Sequence, residues 1–195
     1  HTVGIDVGLK TFATLSDGQT IANPRFFREE EHVLAHAQRR LAKEEKGTPA
    51  RAKRRQVVAR VYERMTWRRE DFAHQHSRRI VNEYDLIAVE DLSINRMVHN
   101  HCLAKSIHDV AWGQFAAFLT FKAAWAGRVF VAVNPAYTSR DCSGCGHRKT
   151  DLALAERIYR CECCGLVRDR DHNAALNMLA VGRHGLGLVP RSPRL

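Results

Sequence analysis

The sequence of 195 residues lacks any apolar run near the roughly 20 residues needed to cross a bilayer, and no basic-then-apolar signal pattern opens it. It also lacks internal repeats and low-complexity tracts. Hydrophobic residues at 45% and charged residues at 27% are ordinary globular values, which exclude a disordered, collagen-like or disulfide-scaffold chain. These absences predict a cytoplasmic protein with no membrane partner, whose six cysteines stay reduced unless a metal binds them.

The beginning of the sequence indicates a piece of a longer protein. It opens on His1 instead of methionine, and a strand-like apolar run is already under way at Val3. The length favours one domain with a sizeable core and room for a small insert. We therefore expect a domain or a fragment.

Basic residues outnumber acidic ones, 31 to 21, and the excess is concentrated in one segment. Between Arg39 and Arg79 there are fourteen Lys and Arg but five Asp and Glu, so this segment carries nearly all of the net charge of +10. One interpretation is a solvated helix face. The alternative is a surface for nucleic-acid phosphates, because neutralised phosphates release condensed counterions. The second interpretation predicts binding that weakens steeply with salt and a nucleoid-associated location.

Hydrophobic periodicity and turn residues predict the order of the elements. The predicted strands are Val3–Leu9, Thr11–Leu15, Thr20–Ala22, Asp85–Glu90 and Arg128–Val133, and the predicted helices are about 28–46, 50–84, 109–126 and 171–182. This order is that of a ribonuclease-H-like α/β domain with a mixed five-stranded sheet and a long helical insertion at about 28–84. The helical stripes expected to contact the core are Val57, Val61, Met65 and Phe72, and Val110, Phe115, Phe118, Leu119 and Phe121.

Three acids are candidates for a catalytic site. Asp6 lies inside the first strand, where an acid is costly unless it is paired, hydrogen-bonded at an edge or bound to a cation. Glu90 ends the fourth strand and Asp171 opens the last helix. In the predicted topology these strands are neighbours and the helix crosses them, so the three carboxylates converge.

Converging carboxylates repel one another unless a cation lies between them, and oxygen donors favour Mg²⁺ or Mn²⁺. Two such ions roughly 3.5–4 Å apart would activate water and stabilise the leaving oxygen in attack on a phosphodiester. No serine, cysteine or histidine base occurs in a comparable arrangement.

The polar neighbours of the three acids are expected to have other roles. Asp91 should face away from Glu90 on the alternating strand, and Asp169 suits the N-cap of the last helix. We expect His172 to be solvated or to contact phosphate.

Four cysteines have the spacing of a zinc ribbon. Two pairs of the form Cys-x-x-Cys, namely Cys142 with Cys145 and Cys161 with Cys164, are separated by fifteen residues. Cys163 is an alternative to Cys164, and disulfide pairing is an alternative to metal. Cys102 has no partner pattern and is expected to be a small apolar residue. Four thiolate ligands would make the Zn²⁺ structural, because no coordination position stays open.

Five segments in one order resemble a known family. They are Gly4–Lys10 (GIDVGLK), Val89–Leu92 (VEDL), Pro135–Arg140 (PAYTSR), the two cysteine pairs and Asp169–Ala175 (DRDHNAA). Together they resemble the TnpB (OrfB) proteins of bacterial and archaeal insertion sequences, which are relatives of the type V CRISPR effectors.

The resemblance implies a RuvC-like nuclease domain at 1–138 and 169–195, interrupted by a zinc ribbon at 139–168. It implies RNA-guided cleavage of DNA, with guide RNA and target DNA as partners. Asp6, Glu90 and Asp171 then match the catalytic acids, and Cys142, Cys145, Cys161 and Cys164 match the zinc ligands. The family's N-terminal targeting half is missing from the sequence, which implies a truncated protein or a split one whose partner supplies targeting.

Two other functions fit the residues. One is a non-catalytic nucleic-acid-binding module that uses the zinc ribbon and the basic segment. The other is a transposase that joins strands by similar metal chemistry. Tyr137 and Trp112 are candidates for stacking on nucleobases, although a core position suits both.

Overall fold

A computed structural model describes residues 1–91, 112–153 and 155–188 of the chain. Its central sheet has five strands in the order β3-β2-β1-β4-β5. β1 is antiparallel to β2 and parallel to β4, and β4 is parallel to β5. These strands are β1 (Thr2–Val7), β2 (Thr11–Leu15), β3 (Thr20–Ala22), β4 (Leu86–Glu90) and β5 (Val129–Val133). The prediction of an α/β fold with a mixed five-stranded sheet is confirmed.

Four helices accompany the sheet in the described ranges: α1 (Phe26–Ala42), α2 (Pro49–Glu83), α3 (Trp112–Trp125) and α4 (Arg170–Gly185). α2 begins where predicted, because the Thr48 hydroxyl accepts a hydrogen bond from the backbone N–H of Arg51 at 3.2 Å and Pro49 occupies the first turn. The predicted start of the third helix, Val110 and Cys102 all lie outside the described residues. None of the described helices is both long and apolar enough to span a membrane.

The two faces of the sheet pack against different helices. Val3, Ile5, Ile87 and Val89 belong to one buried cluster with Phe115 and Leu119 of α3. The alternate residues face α4, since Ala88 clusters with Leu179. Side chains alternate along a strand, so Asp6 shares the α4 face with Gly4, and Glu90 shares it with Ala88. This alternation is what directs the two acids toward the last helix.

Gly4 allows α4 to lie directly on β1. A Cβ at this position would lie 2.0 Å from the carbonyl oxygen of Ala175 and 2.7 Å from the backbone nitrogen of Leu179. We predict that Gly4→Ala destabilises the fold by about 3 kcal/mol or more, because the backbone of α4 must move. Gly185→Ala is the control, since nothing lies within 4 Å of its Cβ position. Chemical denaturation of both variants gives the comparison, and equal stabilities would contradict the close packing.

The helical stripes are only partly core. Val61 and Met65 are buried against Leu34 of α1, but Val57 is 41% exposed and Phe121 is 38% exposed. The expectation that Val57 and Phe121 contact the core was therefore wrong. α2 is 35 residues long, and in its N-terminal part Val58 and Val61 pack with Leu34 of α1, which leaves Val57 on the outer side.

A small two-stranded sheet forms from β6 (Ile158–Arg160) and β7 (Val167–Asp169), which are antiparallel. The side chain of Tyr159, in the middle of β6, is fully buried, and its hydroxyl donates to the Arg140 carbonyl at 3.1 Å. Leu152, Cys142 and Cys161 pack against this ring. The sequence-derived boundaries at 138/139 and 168/169 stay predictions.

Candidate active site and cysteine cluster

The sheet register places the first two predicted acids side by side. Ile5 pairs with Val89 in the parallel β1–β4 ladder, so Asp6 and Glu90 lie next to each other at the carboxyl ends of adjacent strands. Asp171 lies in the first turn of α4, which packs across β1 and β4. All three residues are partly buried. The structure therefore brings the three acids to one end of the sheet.

Burial and charge together raise the pKa values of the three acids. Burial raises the pKa of Asp6 well above its ordinary value, and the charges of Asp171 and Glu90 raise it further. Burial also raises the pKa of Glu90. Desolvation raises the pKa of Asp171, with a further contribution from Asp169. Acids held in this way gain from a divalent cation, which removes both the repulsion and the desolvation cost.

Among the described residues, the three acids do not form a tight cluster of potential metal-ligand atoms like the one that the four cysteines form. Within the described residues, the four cysteines are the set of potential metal ligands whose donor atoms all lie within 4.8 Å of each other. The donor chemistry of Asp6, Glu90 and Asp171 nevertheless fits a hard cation, because all three supply carboxylate oxygens.

A cavity of about 190 Å³ adjoins Asp171 and is lined by cations and hydroxyls as well as acids. Arg157 places its Nη1 atom 3.9 Å from Oδ1 of Asp171. Lys10 also lines the cavity, and both cations lower the pKa of Asp171. Sequence reasoning does not single out Lys10 or Arg157 for this site, because Lys10 lies in the bend after β1 and Arg157 comes from the cysteine-rich segment.

The neighbours of the acids have defined structural roles. Asp169 is the N-cap of α4 and accepts hydrogen bonds from the backbone N–H groups of Asp171 at 2.9 Å and His172 at 3.1 Å. The Nε2 atom of His172 lies 3.0 Å from the Ser16 carbonyl oxygen, which ties α4 to the β2–β3 turn. The expectation that His172 is solvated or contacts phosphate stays a prediction, because this contact engages one ring nitrogen and the residue also lines the cavity beside Asp171. Asp91 is exposed beyond β4.

Asp6→Asn is predicted to raise the unfolding temperature at neutral pH without divalent cations. The folded-state pKa of Asp6 lies above the ordinary value of 3.8. The free energy of unfolding therefore falls as pH rises from that ordinary value through the folded-state pKa. Replacing the ionisable carboxyl by an amide should restore about 0.5–2 kcal/mol, the usual size of a single stabilising substitution. Thermal melts should show the difference vanishing below about pH 4. Asp151→Asn, at an exposed acid, is the control, and a lower melting temperature for Asp6→Asn would contradict the assignment.

The four predicted cysteines form one cluster. Sγ of Cys142 lies 3.6 Å from Sγ of Cys164, and Sγ of Cys145 lies 3.6 Å from Sγ of Cys161. Disulfide sulfurs are about 2.05 Å apart, so these pairs are thiols. Cys163 is exposed and lies outside the cluster, so the choice of Cys164 over Cys163 agrees with the geometry.

The spacing and chemistry of the cluster fit Zn²⁺. Four sulfurs at about 2.3 Å from a tetrahedral zinc lie roughly 3.8 Å from one another, close to the distances above. Burial raises the pKa of Cys142, whereas at Cys161 backbone N–H groups of Cys164 and Cys163 and the neighbouring thiols outweigh burial and lower the pKa to about 6. Gly146 and Gly165 have φ values of 76° and 72° and close the turns after the two pairs.

Two asparagines of α4 join the acidic site to the cysteine cluster. Asn173 is fully buried, donates to the Asp141 carbonyl at 2.8 Å and accepts from the Ser143 N–H at 3.0 Å. Asn177, one turn later, donates to the Thr138 and Asp141 carbonyls at 2.7 Å each. In the sequence, the signal for this connection is the i, i+4 spacing of the two asparagines, which places both amides on one face of the helix. The spacing alone does not indicate which groups the amides bind.

Comparison with protein-family models gives two matches. The OrfB_IS605 model, described as a probable transposase, matches residues 1–101. A Cas12f1-like TNB domain model matches residues 112–178.

Curated relatives match nearly the whole chain. A putative RNA-guided DNA endonuclease of Streptomyces pristinaespiralis is 42% identical over 181 residues, which cover 92% of this chain and 45% of the relative. The putative RNA-guided DNA endonuclease InsQ of Escherichia coli (strain K12) is 30% identical over 195 residues, which cover 92% of this chain and 48% of the relative. The chain thus spans a little under half the length of these relatives.

Two solved structures share the fold. The chain matches a cryo-EM structure of a CRISPR-Cas12f ternary complex with a TM-score of 0.68 and 20% identity, over 91% of this chain and 38% of that one. It matches a cryo-EM structure of a Cas12f1-sgRNA-target DNA complex with a TM-score of 0.66 and 19% identity, over 91% of this chain and 49% of that one. With the acids, the cysteine cluster and these matches together, the chain belongs to the OrfB_IS605 family and is a TnpB relative of the type V effectors.

Proposed function

We propose that the chain is the RuvC-like, ribonuclease-H-like nuclease part of an RNA-guided DNA endonuclease. One observation carries the proposal. Asp6 and Glu90 lie side by side on adjacent parallel strands, and Asp171 lies at the start of the helix that crosses these strands. Burial raises the pKa of Asp6, and the charges of Asp171 and Glu90 raise it further, which supports a shared site.

The fold supports the same proposal. The order β3-β2-β1-β4-β5, with three antiparallel-linked strands followed by two parallel ones, is the order expected of a ribonuclease-H-like sheet. The structural likeness to Cas12f chains, at TM-scores of 0.66 and 0.68, concerns the fold alone. Functional sites of open α/β sheets lie at the carboxyl ends of the strands, where Asp6 and Glu90 are found.

Asp6, Glu90 and Asp171 would hold two Mg²⁺ or Mn²⁺ ions. When bound, such ions supply an activated water and charge stabilisation at the leaving oxygen of a phosphodiester. The acids bind and orient through their carboxylate oxygens, and burial limits their contact with bulk water. Lys10 and Arg157 line the adjacent cavity, where their charges favour the approach of substrate phosphates.

DNA and guide RNA are the proposed partners, as the names of the endonuclease relatives state for those proteins. The basic segment supports this, although part of it is internally paired: Arg68 contacts Glu29 at 2.7 Å and Glu30 at 3.4 Å, both on α1. Lys53, Arg55 and Arg60 of α2 are exposed and suit a phosphate backbone. Base pairing would then read sequence while these helices hold the duplex backbone. A cytoplasmic location beside the DNA belongs to the same proposal.

A single structural Zn²⁺ at Cys142, Cys145, Cys161 and Cys164 is part of the proposal. The cluster would anchor the segment that carries Arg157 and the carbonyls bound by Asn173 and Asn177. The zinc ribbon would thereby keep one wall of the acidic site in place.

End-group analysis tests the proposal against its alternatives. The chain is incubated with Mn²⁺ and end-labelled single-stranded DNA, alone and with the co-expressed RNA and N-terminal half. We predict weak unguided cutting by the chain alone, with 5′-phosphate and 3′-hydroxyl ends, and guided cutting only in the full mixture. Joined strands would instead indicate a transposase. Binding without any cutting in the full mixture would indicate a non-catalytic module, and guided cutting by the chain alone would contradict the dependence on the N-terminal half.

A further inference from the structure

Tyr137 has a backbone conformation that aromatic residues rarely adopt. Its φ is 69°, in the left-handed region, where the described part of the chain places one other non-glycine residue, Arg25. Its carbonyl accepts hydrogen bonds from the N–H groups of Arg140 at 2.8 Å and Asp141 at 2.9 Å, which hold this conformation. A bulky residue with positive φ is an outlier, and such strain persists mainly where a side chain must be aimed.

The Tyr137 ring is half-exposed and is held in place by a neighbouring side chain. Tyr137 is 50% exposed, so the strain is not balanced by burial in the core. The guanidinium carbon of Arg148 lies 3.7 Å from the ring centroid. Arg148 is itself held by two hydrogen bonds to Asp141, at 2.6 and 2.9 Å. One side of the ring is thus backed by a planar cation that cannot easily move away.

The segment that carries Tyr137 is connected to two elements of the acidic site. Val133, which pairs with Glu90 in the β4–β5 ladder, is four residues before Tyr137. Asn177 of α4, the helix that carries Asp171, donates at 2.7 Å to the carbonyl of Thr138, the residue that follows Tyr137. Arg140, three residues later, is exposed. An exposed aromatic ring, a backing guanidinium and a nearby exposed cation are the components of single-strand binding sites.

We propose that Tyr137, backed by Arg148, is a stacking platform for one nucleobase of the single-stranded DNA that leads to the acidic site. Every base has a π-face, so such a platform accepts any sequence, and Arg140 is placed to contact the adjoining phosphate. The proposal rests on the proposed function in one respect, that DNA is the substrate.

The test compares Tyr137→Leu with Tyr137→Phe in DNA binding measured without divalent cations, so that no cutting occurs. Leucine keeps an apolar side chain and the same backbone strain but cannot stack, whereas phenylalanine can. Fluorescence anisotropy with labelled oligodeoxythymidine should show about tenfold weaker binding for Tyr137→Leu and unchanged binding for Tyr137→Phe, given the usual strength of base-aromatic stacking. An abasic oligomer of the same length should bind all three proteins alike.

Equal binding of oligodeoxythymidine by Tyr137→Leu and the unsubstituted chain would overturn the platform. An equal loss on the abasic oligomer would also overturn it, because the effect would then not need a base. A Tyr137-dependent preference for oligouridine would assign the platform to RNA and overturn the assignment to DNA.

Folding and the proposed function are tested separately. Tyr137→Gly relieves the strained backbone, so it should melt at a higher temperature than Tyr137→Leu while binding DNA equally weakly. If the unsubstituted chain shows Tyr137-dependent binding but no Mn²⁺-dependent cutting, the platform stands and the nuclease proposal fails. If it cuts DNA while Tyr137→Leu binds normally, the platform alone fails.

Discussion

Asp6→Ala is expected to lower Mn²⁺-dependent cutting of DNA by roughly a thousandfold or more, to the background rate. Asp6 is the acid whose pKa responds to both other carboxylates, so its loss removes the centre of the proposed metal site. Affinity for DNA should stay within about twofold, because that affinity comes from cations that contact phosphates. Labelled single-stranded DNA serves both measurements, cutting with Mn²⁺ and binding without it.

Asp91→Ala is the matched control for this experiment. Asp91 directly follows Glu90, but it is exposed, and alternation along the strand directs its side chain to the face that packs on α3. The cavity that Asp91 lines with Trp112 is also lined by Glu90. Its removal should leave both cutting and binding near their original values. Retained cutting in Asp6→Ala, or an equal loss in both variants, would show that the three acids are not the catalytic set.

Cys161→Ser is expected to unfold the cysteine-rich segment and to release zinc. Zinc binding to such sites contributes an apparent free energy of order 10 kcal/mol, more than the small buried cluster around Tyr159 can replace. We predict loss of stoichiometric zinc by atomic absorption and rapid tryptic cleavage after the arginines of this segment. Cutting of DNA should fall as well, because Arg157 is then no longer held beside Asp171.

Cys163→Ser separates loss of a ligand from loss of any thiol. Cys163 is exposed and outside the four-sulfur cluster, although it lies between Cys161 and Cys164. This variant should keep its zinc and its resistance to trypsin. Full zinc content in Cys161→Ser, or zinc loss in Cys163→Ser, would refute the assigned ligands.

The order of the elements is predictable because its signals are local. Apolar runs such as Leu86–Val89 are buried as strands, and Thr48 with Pro49 begins α2 as the capping pattern indicates. An acid inside an apolar strand is costly, and for this reason the sequence alone singles out Asp6. The spacing of the cysteine pairs likewise carries most of the information on the cluster.

Other features depend on tertiary placement that no window of sequence contains. Arg68 is neutralised by Glu29 and Glu30, which precede the basic segment in sequence and meet it only when α1 packs on α2. His172 contacts Ser16, 156 positions away. The residue type of Tyr137 suits a core position, whereas its backbone conformation and exposure follow from the turn between β5 and the cysteine cluster.

Calorimetric titration with Mn²⁺ is the most direct test of the claim that Asp6, Glu90 and Asp171 form one metal site. The zinc-loaded chain should give a binding isotherm at neutral pH that is absent in Asp6→Ala. The affinity should weaken as pH falls, because carboxyls with raised pKa values must lose protons before they bind metal. No heat of binding in the unsubstituted chain, or the same isotherm in Asp6→Ala, would contradict the claim.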